Sequence, residues 1–513
     1  MRFNSVLKRI MCIMLALLLV FCTVACGKNK TKKKKKVIIK KVIVTSETES
    51  TDENTSEDEY VTEEDVWEEE EFEIIKTRRE LADSVENETE VYVPEFTQKT
   101  VDWNGPKGYV IVYKDGDRYA NVQARYLQAF FKKIDGVELK IVTDKTPAVA
   151  KEILVGDTNR YKTTLSETAF AVNLKGKKLV FEGGHRVMVE KAVKWFMSID
   201  RIDGKVATLK GKSDTFKPSL AGGYKYVWGE EFDGDFLDKT KFDYCGHMTV
   251  NSSSIAADLA DDALIRVEEG LLKMSTAHYF SEFDDELEVG IPKVVCTGNT
   301  MQWLYGYVEM RALVPFSRGA WPGWWATNYC YDNSSFFNNN LKYMVEVDFF
   351  EVFGSVSDVV PNIHKWYQNS GYDSWTYLVD KNGEQIKHSG YTDMGLDVNK
   401  YIMPETETMK YHTYGFKWTP DKMTLSVDGN DYMTFDLNNN YDGLLDMEHF
   451  KDSPLHMILD NYAYFAGGAY TTESNELSIK DLPFNFFVDY IRIYQTDKEG
   501  YITDYGLDKV ISE

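Results

Sequence analysis

The sequence predicts an all-β sandwich of jelly-roll type over residues 220–498, preceded by a small α/β domain at 92–215 and a charged stalk. Three observations predict it. From about Tyr226 to Gln495, short apolar and aromatic runs are punctuated by Gly, Asn, Asp and Pro, without strong helical periodicity. Many short strands with regular turns argue for two packed sheets. Between Tyr92 and residue 215, strand-like runs alternate with two stretches of helical period, the order of an α/β unit. Residues 47–73 hold many Asp and Glu and no Lys or Arg. Such a block self-repels and cannot bury enough apolar surface to fold.

The chain begins with Arg2, Lys8 and Arg9, an apolar run from Ile10 to Phe21, and small residues up to Cys26 and Gly27. A basic start, a short apolar stretch and small residues make a secretory signal. The run is shorter than the roughly 20 apolar residues of a membrane span. The Ala25-Cys26-Gly27 ending resembles a bacterial lipoprotein lipobox, with Thr23 where Leu is usual. The resemblance implies a signal peptide over 1–26, lipidation at Cys26 and a membrane partner through that anchor; plain secretion is the alternative. The Lys-rich run 28–41 would be drawn to anionic head groups. It carries no interleaved aromatics for stacking on bases, and export argues against nucleic acid. Residues 27–91 then read as a disordered linker lifting the folded part off the membrane, and 499–513 as a tail. Together these place the protein outside the cell, at the surface of a bacterium.

In the α/β domain, GYVIVY (108–113) reads as a buried strand. Residues 119–134 place Leu127, Phe130, Phe131 and Ile134 on one helical face. VELKIVTD, KEILVGDTNR and AFAVNLKGKKLVFEGG follow, the last a hairpin turning at Lys175-Gly176, and 186–198 is a second helix. EILVGDTNR resembles the α/β domain that precedes the catalytic domain in several glycosidase families, such as family 20 hexosaminidases. No clustered carboxylates, metal spacing or phosphate loop occur here, so an accessory role or a plain spacer is expected.

The net charge of −23 over 513 residues disfavours nucleic acid and other polyanions and suits a neutral partner. Three of the six cysteines lie in the leader; Cys245, Cys296 and Cys330 remain. That excludes a disulfide framework and a Cys-rich zinc site and allows at most one bridge. No HExxH spacing occurs.

The segment KYMVEVDFFEVFG (342–354) carries the chemistry. Glu346 and Asp348 share one face of a strand. Glu351 would face the other way, unless one β-bulge between Asp348 and Glu351 returns it. Three acids then converge, and like charges drive their pKa values apart. One can stay ionised and attack carbon while another holds a proton for a leaving oxygen, as glycoside hydrolysis requires. A solvated acidic edge strand or a calcium site would carry the same letters. Charges interleaved with Val and Phe in a half-buried strand favour the first reading.

EVDFFE resembles the bulged E-x-D-x-x-E signature of glycoside hydrolase family 16. WGEEFDG (228–234), EGLLKM (269–274), LYGYVEMRA (304–312), GAWPGWWATN (319–328), YHTYGFKWTPDKMTLSVDG (411–429) and FFVDYIRIYQ, ending at Gln495, follow in the family's order. GAWPGWWATN resembles Gly-x-Trp-Pro-Ala-x-Trp, and IHKW (363–366) resembles Val-His-Trp with Lys365 inserted. The resemblance covers roughly 270 residues. It implies a curved, concanavalin A-like jelly roll with an open cleft and a retaining mechanism. By resemblance, Glu346 is the nucleophile, Glu351 the acid/base and Asp348 the group tuning the nucleophile. Trp321 and Trp325 would stack on sugar, with His364 and Trp366 nearby; Trp303 and Trp324 suit packing equally. A structural calcium is implied at Glu231, the Gly270 carbonyl and Asp489, and no cofactor for catalysis. The WPGWW stretch is most similar to the β-1,3-glucanase branch, so a β-glucan substrate is expected for a monomeric enzyme. A transglycosylase of the same family, or a glycan-binding lipoprotein without activity, are the rivals.

Overall fold

A computed structural model describes residues 95–198, 205–245, 264–268, 270–280, 287–328, 343–368, 396–441, 447–463, 482–498 and 500–504, with short pieces between them. The leader, Cys26 and the acidic linker lie outside the described residues.

The N-terminal part is one seven-stranded sheet with two helices. In chain order it runs β1 (Glu95–Asp102), β2 (Val110–Tyr113), α1 (Arg118–Asp135), β3 (Lys140–Thr143), β4 (Glu152–Val155), β5 (Ala169–Lys175), β6 (Lys178–Gly183), α2 (Arg186–Met197) and β7 (Lys205–Lys212). The spatial order is β1-β7-β5-β6-β4-β2-β3. β2 pairs in parallel with both β3 and β4, and β4 in parallel with β6. Asp117 caps α1 by accepting from the Ala120 N–H at 3.0 Å, satisfying one orphan donor of the first turn. Gly136, at φ 65°, ends it in the left-handed conformation that glycine tolerates. The expected apolar face is only partly used. Leu127 and Phe131 are buried, but Ile134 is 54% exposed: it falls in the last turn, which carries Lys132 and Lys133 out to solvent. Ile111, Ile153, Phe181 and Phe196 complete this core.

The rest is a two-sheet sandwich. Its strands are β8 (Tyr224–Glu230), β9 (Asp243–Cys245), β10 (Leu271–Phe280), β11 (Val294–Cys296), β12 (Gly306–Leu313), β13 (Ala320–Thr327), β14 (Tyr343–Glu351), β15 (Asp358–Gln368), β16 (His412–Trp418), β17 (Lys422–Val427), β18 (Asn430–Asp436), β19 (His456–Ala463) and β20 (Phe484–Gln495). One sheet runs β9-β11-β19-β13-β14-β15 and the other β10-β20-β12-β16-β17-β18, with β8 also paired to β20. Strand side chains alternate, so each sheet turns one face inward. Trp228, Trp303, Trp324, Phe349, Phe350, Phe416, Trp418 and Phe486 fill the space between them. Trp303 and Trp324 are therefore packing residues, both fully buried. Cys296 is disulfide-bonded.

Residues 76–513 form one compact unit. Tyr226 of β8 and Tyr494 of β20 belong to the α/β core. Lys194 of α2 reaches Glu230 at 2.8 Å, Asp238 at 3.0 Å and Glu190 at 2.8 Å. Lys191 lies 2.7 Å from Asp233. All four cross-connecting charges of Lys194, Glu230, Asp238 and Lys191 are buried. Buried charges are costly unless paired, and here each finds an opposite charge across the junction between α2 and the sandwich.

Candidate active site

β14 is central in its sheet, between β13 and β15. Val345 and Val347 turn into the sandwich core, which sends Glu346 and Asp348 to the opposite face. The pairing with β15 runs in register from Tyr343 to Asp348, with Glu346 opposite His364 and Asp348 opposite Asn362. It then shifts, and Glu351 is opposite Val360. On the β13 side the shift falls at the same place, where Trp325 faces Asp348 and Trp324 faces Phe350. This is the bulge anticipated between Asp348 and Glu351. An extra residue reverses the alternation, and Glu351 joins the face of the other two acids.

One polar atom from each of Glu346, Asp348 and His364 lies within 4.8 Å of the others. His364 Nε2 is 3.3 Å from Asp348 Oδ2. Trp321 donates its indole N–H to Glu351 Oε1 at 3.0 Å. Glu351 is half-buried, and its pKa stands well above the ordinary glutamate value. Burial is the main cause, with the charges of Asp348, Glu346 and Asp460 adding to it and the Trp321 N–H opposing it. Water-poor surroundings and neighbouring anions both disfavour the ionised form. Glu351 is therefore biased towards its protonated form beside two other acids.

Asp460 is a fourth carboxyl of this face, and sequence reasoning missed it. It lies on β19 opposite Gly323 and accepts from the Trp325 indole N–H at 2.7 Å. Burial first, then Asp348, pushes its pKa up to about 7. The signal was present: Asp460 interrupts the apolar run Met457-Ile458-Leu459, just as Glu346 interrupts Val345 and Val347. Gly323 stands where the resembled pattern has Ala. A Cβ there would sit 3.0 Å from both Asp460 carboxyl oxygens, a tight contact that glycine avoids.

Trp321 and Trp325 are half-buried, and each donates its indole N–H to a carboxyl of the acidic face. His364 is placed at the acids. Lys365 does not break the strand: the register continues to Trp366 opposite Met344 and Tyr367 opposite Tyr343. The Lys365 side chain takes the alternate face and is buried. The Trp366 side chain lies outside the described residues.

At the calcium positions the two carboxylates are paired with arginines. Glu231 accepts two bonds from Arg492, at 2.8 Å and 2.9 Å, and Arg492 holds its carboxyl down to about 2 against the cost of burial. Asp489 accepts from Arg311 at 2.6 Å. Gly270, at φ 79°, forms the turn before β10. Two guanidinium groups supply the positive charge that calcium would bring, so these residues as placed do not fit a calcium ion.

Residues 272–479 match the family model of glycosyl hydrolases family 16. A beta-glucanase of Rhodothermus marinus is 28% identical over 278 residues, 53% of this chain and 85% of that protein. Among solved structures, an endo-acting O-glycanase study of human gut bacteria contributes a chain with 21% identity and TM-score 0.40, covering 55% of this chain and 94% of its own. A non-specific endo-β-1,3(4)-glucanase is 23% identical with TM-score 0.39, covering 55% and 94%.

Proposed function

We propose that the sandwich, which matches the family 16 glycosyl hydrolase model over residues 272–479, is a retaining endo-hydrolase of β-1,3- or mixed β-1,3/1,4-glucan that works by double displacement. The observation that carries the reading is the bulge that brings Glu351, its pKa held well above the ordinary glutamate value, to the same face as Glu346 and Asp348. In the first step Glu351 gives its proton to the leaving glycosidic oxygen. Glu346 attacks the anomeric carbon, and a covalent glycosyl ester forms as the C–O bond breaks. In the second step Glu351, now ionised, takes a proton from water, which displaces Glu346. Asp348, 3.3 Å from His364 Nε2, stands beside the nucleophile. Trp321 and Trp325 offer apolar ring faces to the C–H faces of sugar, while their N–H groups hold Glu351 and Asp460.

The substrate choice rests on the Rhodothermus marinus relative and on the absence of a distinctive basic cluster in the sequence, which disfavours sulfated galactans. The cellular setting rests on the sequence alone: export, a lipid anchor at Cys26 and a surface-bound monomer.

The test is reducing-sugar release from laminarin, lichenan, agarose, xyloglucan and mucin O-glycans by the wild type beside Glu346→Gln. Release from laminarin or lichenan that vanishes in the variant supports the proposal. Release from another polymer keeps the mechanism and replaces the substrate. Binding to laminarin without any release overturns hydrolysis.

A further inference from the structure

Gly323 is the centre of a four-cornered arrangement on the acidic face. Along β13, Trp321 and Trp325 stand two residues to either side of it, which puts all three on one face. Across the sheet its direct partners are Glu351 on β14 and Asp460 on β19. Trp321 donates to Glu351 at 3.0 Å, and Trp325 donates to Asp460 at 2.7 Å. Each indole is thus tied at its N–H to one of the two carboxyls that flank the glycine. The Asp460 carboxyl lies over Gly323 itself, with both oxygens 3.0 Å from where a Cβ would stand.

The two pairs differ in what they can touch. Glu351 is half-buried, whereas Asp460 is only 4% exposed and commits one oxygen to the indole. Little of Asp460 is left for a sugar to meet. Its ring partner is more open: Trp325 is half-buried. Trp325 sits opposite Asp348 on β14, and two residues further along β13 Thr327 sits opposite Glu346. Of the two tied rings, Trp325 is therefore the one nearer the nucleophile along the strand. On its other side it faces Ile458 of β19 and packs against the apolar cluster containing that residue. The outer torsion of a tryptophan is broad, so such packing sets the plane of the ring only loosely. A hydrogen bond at the ring's edge sets it closely.

We infer that Asp460 is a positioning residue for the sugar that Glu346 attacks: its bond to the indole N–H fixes the plane of Trp325, against which that sugar lies. The inference rests on the hydrolase reading above. Asp460 acts through Trp325 and not on the reacting atoms. A preset ring lowers the ordering cost of binding. It serves substrate and transition state alike, and such uniform binding appears in KM and not in kcat.

The test is a double-mutant cycle on the full chain with Asp460→Leu, Trp325→Phe and both together. Kinetics are read on laminarin, or on whichever of lichenan, agarose, xyloglucan and mucin O-glycans the wild type cleaves. Each single variant should raise KM about fivefold to tenfold, the scale of one hydrogen bond, with kcat kept within about twofold. The double variant should be no worse than the worse single, because both changes remove the same bond. In protein carrying isotope-labelled tryptophan, the Trp325 indole resonance, identified by its loss in Trp325→Phe, should move upfield in Asp460→Leu. An unmoved indole resonance overturns the inference whatever the activity. With an active wild type, unchanged KM, a loss confined to kcat, or effects that simply add would overturn it and leave the hydrolase reading intact. A wild type that cleaves none of the five polymers overturns both. If Asp460→Leu does not fold, Trp325→Phe breaks the same bond from its other end, and an unchanged KM there overturns the inference.

Discussion

The Trp321 indole N–H and Glu351 Oε1 are hydrogen-bonded at 3.0 Å, across neighbouring strands β13 and β14. A ring expected to stack on sugar thus also orients the proton donor. The bond favours the ionised carboxylate, so removing it raises the Glu351 pKa further. Trp321→Phe keeps an aromatic face and loses the N–H. The basic limb of the kcat/KM profile, which reports the free enzyme's acid, should move to higher pH. A profile unchanged in Trp321→Phe would remove this bond from the mechanism.

Glu351→Gln removes the proton without much change in shape. General acid–base catalysis contributes about 10²–10⁴-fold, and kcat/KM on laminarin should fall by that range. Glu346→Gln should leave no measurable turnover. With wild-type enzyme, proton NMR of the first product should show the β-anomer before mutarotation, because two displacements restore configuration. An α-anomer formed first would contradict Glu346 as nucleophile.

Asp460 links the cleft to stability. Its native pKa of about 7 lies above that of an unfolded Asp. The native state therefore binds the extra proton between about pH 4 and 7, and this group's contribution falls as pH rises through that window. Asp460→Asn imitates the protonated form. Relative to wild type, its thermal midpoint should rise at pH 8 and hardly change at pH 4. Equal differences at both pH values would show that Asp460 is not buried in its neutral form.

Lys194 holds three carboxylates of the layer junction, all within 3.0 Å. Lys194→Met leaves Glu230 to Lys241 alone and Asp238 without the cation it contacts. Breaking such a pair costs roughly 3–5 kcal/mol, which chemical denaturation would read directly. A loss under about 1 kcal/mol would mean that water enters the junction.

Glu231 and Asp489 are served by Arg492 and Arg311. Chelation with EDTA should therefore leave the thermal midpoint unchanged, and added calcium should not raise it. Glu231→Gln, which strands the buried Arg492, should lower it clearly. A midpoint that drops on chelation and recovers with calcium would restore a cation to this region.

Local rules made much of this protein legible. Period-two and period-3.6 patterns located the strands and both helices of the α/β layer, because side-chain direction repeats with backbone geometry. The five-residue step from Glu346 to Glu351 demanded a bulge, and the register breaks there. Pattern also singled out His364, although Lys365 seemed to disturb it; alternation simply sends Lys365 to the other face. What the sequence could not decide depends on residues far apart in the chain. Asp460 reaches the acids only because β19 pairs with β13 and Gly323 leaves room for its carboxyl. Arg492 neutralises Glu231 across 261 positions of sequence. Alternation and capping act within a few residues, whereas burial and charge pairing arise from the company that distant strands keep.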